Sequence, residues 1–205
     1  MKSAIAGLEP EIALSLGRAI NLAQSDGVRL RLPHHAPYLS SFSLSMPYKL
    51  LFVCLGNICR SPAAENLMNH CIDQAGLTGT IVCDSAGTSS YHIGSPPDRR
   101  MTTAATQRGI AMQGRARQFS AADFTEFDLI LAMDRENYAN ICTLDPRGQY
   151  RHKVRLMCDF CSHHTLKEVP DPYYGGTEGF NQVLDLLEDA CQGLLAHIKD
   201  EIASQ

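Results

Sequence analysis

The sequence has little that would commit it to a membrane, to nucleic acid or to secretion. No apolar run approaches the roughly 20 consecutive residues that a bilayer-spanning helix needs. No secretory signal pattern opens the chain, so its eight cysteines, all of them after residue 50, read as thiols of a reducing cytoplasm and not as a disulfide framework. Charge of one sign is scarce as well. A formal net charge of −4 gives no footprint for nucleic acid or an acidic membrane surface, and neither is expected as a partner. A local basic rim at Arg99, Arg100, Arg108, Arg115 and Arg117 is still able to steer an anion. What is present, 205 residues with 44% hydrophobic and 20% charged side chains, suits one domain with a genuine core.

The informative stretch is LLFVCLGNICRSPAAE, residues 50–65. Leu50, Leu51, Phe52 and Val53 make a short apolar run suited to a buried parallel strand that stops at Cys54. From Ser61 the pattern turns helical: Ser61 can cap, Pro62 suits the first helical position, and Ala63, Ala64, Glu65, Leu67 and Met68 favour helix. A strand, a tight loop with Gly56 and Asn57, and a helix start together make an oxyanion cradle, because backbone N–H groups and the helix dipole converge. Cys54 is expected at its floor and Arg60 on its rim. The positive field of such a cradle lowers a thiol pKa from about 8.5 to roughly 3.5–7.5, which makes a nucleophile. The planar fork of Arg60 suits two oxygens of a tetrahedral phosphoryl group. On spacing alone, the segment also suits a strand-end cysteine followed by a helix-capping serine and a surface arginine.

CLGNICRSP, from Cys54 to Pro62, resembles the phosphate-binding signature of the low-molecular-weight protein tyrosine phosphatases. VPDPYYGG, from Val169 to Gly176, resembles that family's general-acid loop. DSAGTSS around Ser85, PPDRR at Pro96 to Arg100, RGI at Arg108, ARQF at Ala116, FDLILAMD ending at Asp134 and GF at Gly179 are similar too, in the family's order. The resemblance runs from Tyr48 to about Lys199.

The resemblance implies hydrolysis of phosphotyrosine in proteins and of small aryl phosphates, with phosphate as product, and requires no metal or other cofactor. It makes Cys54 the nucleophile that becomes a phosphocysteine. It makes Leu55, Gly56, Asn57, Ile58, Cys59, Arg60 and Ser61 the phosphate-binding loop, and Asp171 the acid that protonates the departing phenolate and then activates water. Pro170 and Pro172 restrict the backbone on both sides of Asp171, which suits an acid held over a leaving group. Tyr91, Tyr173 and Tyr174 are implied as walls of the pocket, the last two also as phosphorylation sites, and Asp134 as structural support. Ser61 is to assist the thiolate as leaving group and Asn57 to fix the loop. Cys59 is implied as a reversible disulfide partner of Cys54. Ile58 favours the tyrosine-phosphatase branch, since threonine at this position resembles arginine-phosphate phosphatases. One departure stands out: many members carry a histidine supporting the loop asparagine where this chain has Gly114.

Elsewhere the pattern predicts helices over 62–75, 97–108 and a short one after Asp134, a turn over 121–126, and strands over 81–84, 127–133 and 154–160. A final helix carries one apolar stripe of Phe180, Val183, Leu184, Leu187, Cys191, Leu194, Leu195 and Ile198. Cys71 and Cys83 are expected in the core. This alternation predicts a doubly wound parallel α/β sheet, and the family resemblance adds four strands in the order 2-1-3-4, the phosphotyrosine protein phosphatase I-like fold. Residues 1–46 read as an extension, a poorly ordered arm or an artefact of the chosen start, ahead of a phosphatase domain over 47–205. Cys158, Cys161, His163 and His164 offer four potential zinc ligands, but their closeness is poor zinc-finger spacing and the segment reads as the approach to the acid loop. Arsenate reduction, with Cys158 or Cys161 as resolving thiols, and a phosphate-dependent binding module are the alternative functions.

Overall fold

The structure, a computed structural model, describes residues 46–204, so the expectation for the N-terminal extension lies outside the described residues. Four strands form one parallel sheet: β1 (Tyr48–Cys54), β2 (Ile81–Gly87), β3 (Leu129–Ala132) and β4 (Val154–Leu156), in the order β2-β1-β3-β4. In the register of β1 and β2, Tyr48 faces Ile81 and Cys54 faces Gly87, while Leu50 to Val53 pair with Leu129 to Ala132 of β3. The predicted order is the observed one. Leu50, Leu51, Phe52 and Val53 have no exposed surface, as expected for a central strand covered on both faces.

The period-2 alternation of β1 divides the core. Leu50 and Phe52 point with Leu129 and Leu131 toward α1 (Arg60–Gln74), α2 (Arg99–Gln107) and the long α5 (Thr177–Ala203). Leu51 and Val53 point with Ile130 and Ala132 to the opposite side, where Phe119, Phe124 of α3 (Asp123–Glu126) and Ile141 of α4 (Arg135–Thr143) cover them. Helices thus lie on both faces, the doubly wound arrangement. All eight residues of the predicted apolar stripe of α5 are buried.

Several boundaries differ from expectation. The predicted strand over 154–160 ends at Leu156, and Met157–Phe160 forms a 3₁₀ turn against α5, placing Cys158 in that turn and not in a strand. Gly193 permits the approach: a Cβ there would lie 2.0 Å from the Phe160 carbonyl oxygen. Strand β2 continues three residues beyond Asp84, which brings Ser85 under the phosphate loop. Cys71 and Cys83 are half-buried against the core and not enclosed by it.

Candidate active site

β1 delivers Cys54 to the carboxyl edge of the sheet, between β2 and β3, where strand order reverses and an α/β fold opens a crevice. The next residues turn inward because their carbonyls are fastened outward. The carbonyls of Cys54, Leu55 and Ile58 accept the N–H groups of Thr88 at 2.8 Å, Ser89 at 2.9 Å and Asp98 at 2.7 Å. In a trans peptide the N–H opposes the C=O, so the amides of Leu55, Gly56 and Cys59 face the interior of the loop. The N–H of Asn57 points at Cys54 Sγ, 3.2 Å away. The helix begins at Arg60, two residues earlier than expected, behind Cys59 and with no side-chain cap. Ser61 is therefore inside the first turn and does not cap it. Its Oγ lies 3.1 Å from Cys54 Sγ and 3.2 Å from the Ala86 carbonyl, so the helix N-terminus stays open toward an anion.

Asn57 holds the loop's shape. It adopts φ 54°, the left-handed region that asparagine tolerates better than most side chains. Its Nδ2 donates to Ser61 Oγ at 2.9 Å and Ser85 Oγ at 2.8 Å, and its Oδ1 accepts from the Arg117 N–H at 2.9 Å. Ser85 Oγ in turn donates a hydrogen bond to Glu65 Oε2 at 2.6 Å. The support expected of a histidine at position 114 thus comes from Ser61, Ser85 and the backbone of Arg117. Sequence reasoning missed Glu65 and Ser85 in this role. The DSAG stretch beside a helical glutamate was the available signal.

Arg60 is buried, not on the rim as expected, with 3% of its surface exposed. Nη1 donates to Asp134 Oδ2 at 2.6 Å and to the Val169 carbonyl at 3.1 Å, and Nη2 donates to Asp171 Oδ2 at 3.0 Å. Burial opposes the guanidinium's charge, but Cys54, Asp134 and Asp171 outweigh it and hold the pKa above its ordinary value. Asp134 also caps α4 by accepting the Asn137 N–H at 2.6 Å. The Val169 N–H donates to the Met133 carbonyl at 2.8 Å, which docks the start of the 169–176 loop on the end of β3.

Beside Arg60 and Asp171 opens a cavity of about 380 Å³. Cys54, 3% exposed, lies at its floor with Arg60; Asp171 stands at its edge, and Tyr91, Tyr173 and Tyr174 wall the mouth. Of the loop positions from Leu55 to Ser61, Leu55, Gly56, Ile58, Cys59 and Arg60 line the cavity, while Asn57 and Ser61 do not and bond from behind it. His92, which sequence reasoning placed only in a polar loop, lines the cavity too. Its ring Cδ2 would lie 3.0 Å from a Cβ on Gly56, so the glycine lets it close over the loop. Cys59 is a buried free thiol of the same cavity. Burial, then the charge of Asp98, push its pKa up to about 12. Cys158 and Cys161 do not line the cavity, and His163 and His164 give their backbone N–H groups to Asp189. Among the described residues no three His, Cys, Asp or Glu side chains converge as metal ligands.

A doubly wound domain with a thiol, an arginine and inward amides gathered behind its central strand defines the class of cysteine-centred oxyanion sites. The chain belongs to the low molecular weight phosphotyrosine protein phosphatase family, whose family model matches residues 49–204. A Synechocystis sp. protein, named only provisionally as a low molecular weight protein-tyrosine-phosphatase, is 65% identical over 156 residues, covering 76% of this chain and 99% of the relative. The low molecular weight phosphotyrosine protein phosphatase of Schizosaccharomyces pombe is 42% identical over 73% of this chain and 96% of its own length. A crystal structure of a protein tyrosine phosphatase from Entamoeba histolytica, with Hepes in its active site, superposes with a TM-score of 0.73 at 48% identity, covering 75% of this chain and 98% of that one.

Proposed function

We propose that this chain dephosphorylates phosphotyrosine in proteins and small aryl phosphates, with Cys54 as nucleophile, Arg60 as phosphoryl clamp and Asp171 as general acid. The observation that carries the assignment is the single cavity in which Cys54 forms the floor, Asp171 the edge and tyrosines the mouth. In the first step Cys54 sulfur bonds phosphorus as the aryl P–O bond breaks, and the Asp171 proton goes to the phenolate oxygen. Arg60 and the amides of Leu55, Gly56 and Cys59 stabilise the equatorial oxygens. Arg60 Nη2, which bonds Asp171 Oδ2, transfers to a phosphoryl oxygen and frees that carboxyl oxygen to face the leaving group. Water then attacks phosphorus, gives its proton to Asp171, and releases phosphate as the S–P bond breaks. Ser61 Oγ, 3.1 Å from the sulfur, stabilises the departing thiolate.

The tyrosine-walled mouth favours a flat ring that carries its phosphate to a buried floor, and a short phosphoserine side chain would bring the peptide backbone against the walls. Cys59 serves as a resolving thiol: once peroxide has converted Cys54 to a sulfenic acid, attack by Cys59 sulfur forms the disulfide and releases water. A nucleophilic thiol and free cysteines support a reducing cytoplasmic setting. Among the described residues no helix is long and apolar enough to cross a membrane. Arsenate reduction is less well supported, because neither Cys158 nor Cys161 lines the cavity.

The test is phosphate release from phosphotyrosine, phosphoserine and phosphoarginine peptides under reducing, metal-free conditions, with Cys54→Ser beside the unmodified chain. Selective phosphotyrosine turnover that the substitution abolishes is expected. Turnover that survives Cys54→Ser would remove Cys54 from the mechanism.

A further inference from the structure

A guanidinium outside the cradle joins the loop that carries Asp171 to the loop that carries Cys54. Arg100, in the first turn of α2, donates from Nη1 to the Tyr173 carbonyl at 2.9 Å. From Nε at 3.1 Å and Nη2 at 2.9 Å it grips the carboxylate of Asp98. Asp98 caps α2 and gives its own backbone N–H to the Ile58 carbonyl at 2.7 Å, the peptide whose amide is the inward N–H of Cys59. The guanidinium carbon lies 5.1 Å from the centroid of the Tyr173 ring and 4.8 Å from that of Phe180 at the start of α5. The fork is held by two aromatic rings as well as bonded along its edges, a use open to arginine and not to lysine.

The consequence falls on Asp171. Tyr173 N–H donates to Asp171 Oδ1 at 3.0 Å, so with its carbonyl on Arg100 the backbone of Tyr173 is fixed on both sides. Among the described residues, the bond from Arg100 is the one hydrogen bond that reaches residues 172–175 from outside that loop. The other oxygen of Asp171 is on Arg60, which must release it when a phosphoryl group enters. At that moment the Tyr173 N–H is the contact left to aim the carboxyl.

We propose that Arg100 is a positioning residue for the acid step: it holds the Asp171 loop at a fixed height over the cradle by tying Tyr173 to Asp98, and through it to Ile58. The proposal rests on the reading of Asp171 as general acid, and its test separates the two. A misplaced acid harms substrates in proportion to how badly their leaving group needs a proton. Steady-state kcat/KM is measured for a series running from p-nitrophenyl phosphate to phenyl phosphate and phosphotyrosine, with the unmodified chain, Arg100→Ala, Arg100→Lys and Asp171→Asn. Inhibition by inorganic phosphate reports the integrity of the cradle.

Arg100→Ala is expected to stay within about threefold on p-nitrophenyl phosphate and to lose about tenfold on phenyl phosphate and phosphotyrosine, a part of the 10²–10⁴ that a general acid contributes. Phosphate inhibition should remain within about twofold, and Arg100→Lys, keeping the charge without the fork, should fall between the two. If Asp171→Asn shows the leaving-group dependence and Arg100→Ala loses equally on all substrates, or on none, the role of Arg100 is overturned. Full activity of Arg100→Lys across the series would assign the effect to charge and equally overturn positioning. Absence of leaving-group dependence in Asp171→Asn would overturn the acid assignment itself.

Discussion

Replacing Glu65 by glutamine should change how stability depends on pH, by an amount the structure allows to be worked out. Glu65 lies on α1 behind the phosphate loop, where burial raises its pKa from 4.5 to about 7. The Ser85 hydroxyl and Arg117 counter this, while the charge of Asp84 adds to it. Between pH 4.5 and about 7 the folded chain keeps a proton that the unfolded chain has released. Stability from this group is therefore fully present below pH 4.5 and is lost as pH rises through about 7. At about 1.4 kcal/mol per pKa unit the loss is about 3 kcal/mol. Glu65→Gln accepts the Ser85 hydroxyl in the same way and has no charge to bury. Urea unfolding of both chains at half-unit steps from pH 4 to pH 8.5 should show the variant's advantage growing by about 3 kcal/mol across this window. A difference that stays constant within about 0.5 kcal/mol would refute the argument that Glu65 is held neutral by burial.

Gly193→Ala places a Cβ 2.0 Å from the Phe160 carbonyl oxygen. The overpacking cost of about 1–3 kcal/mol should exceed the helix-propensity gain of about 1 kcal/mol, lowering the urea midpoint. An unchanged midpoint would mean that the 3₁₀ turn at Met157–Phe160 slides freely along α5. Gly87→Ala brings a Cβ to 2.8 Å from the Leu55 carbonyl oxygen and 3.1 Å from the Asn57 nitrogen, both in the cradle. It should weaken inhibition by inorganic phosphate by about tenfold or more, an energy of about 1.4 kcal/mol. Phosphate inhibition equal to that of the unmodified chain would show that the loop does not depend on this close approach.

The parts of the fold that could be read from the residues were those with one strong local cause. The run Leu50 to Val53 is apolar without interruption, and only a strand covered on both faces needs that. The α5 stripe repeats long enough to leave no second interpretation. The boundaries that moved are those decided by tertiary contact. Met157 to Phe160 carries apolar residues that continue the β4 pattern, but the approach of α5 at Gly193 turns the chain into a 3₁₀ turn. Ser61 has the chemistry of a cap, yet Cys54 and Asn57 claim its hydroxyl. Arg60 looked like a rim residue because nothing in its neighbours announces two carboxylates, 74 and 111 positions away, that make burial of a guanidinium tolerable. Ser85 and Glu65 left only the faint signal of DSAG beside a helical glutamate, and the bond from Arg100 to Tyr173 spans 73 positions that no local pattern links.

Gly114 shows how a missing side chain redistributes work. With φ +105° it occupies backbone space that an L side chain rarely adopts, and a Cβ built on it would lie 3.9 Å from Glu65 Oε2. A histidine there would put a cationic or hydrogen-bonding ring beside that carboxylate. Without it, among the described residues the side-chain hydrogen bond to Glu65 is the one from Ser85, whose hydroxyl is at once donor to Glu65 and acceptor from Asn57. An ionised Glu65 pins the Ser85 proton outward and leaves the oxygen free for Asn57. A protonated Glu65 can itself donate to Ser85 and release that proton from its duty. The left-handed turn of Asn57, and with it the amides around Cys54, is thereby coupled to a carboxyl that changes charge near pH 7. The stability that Glu65 contributes is thus largest below that pH, while its ionised form, which can only accept, is the one that keeps the Ser85 oxygen for Asn57.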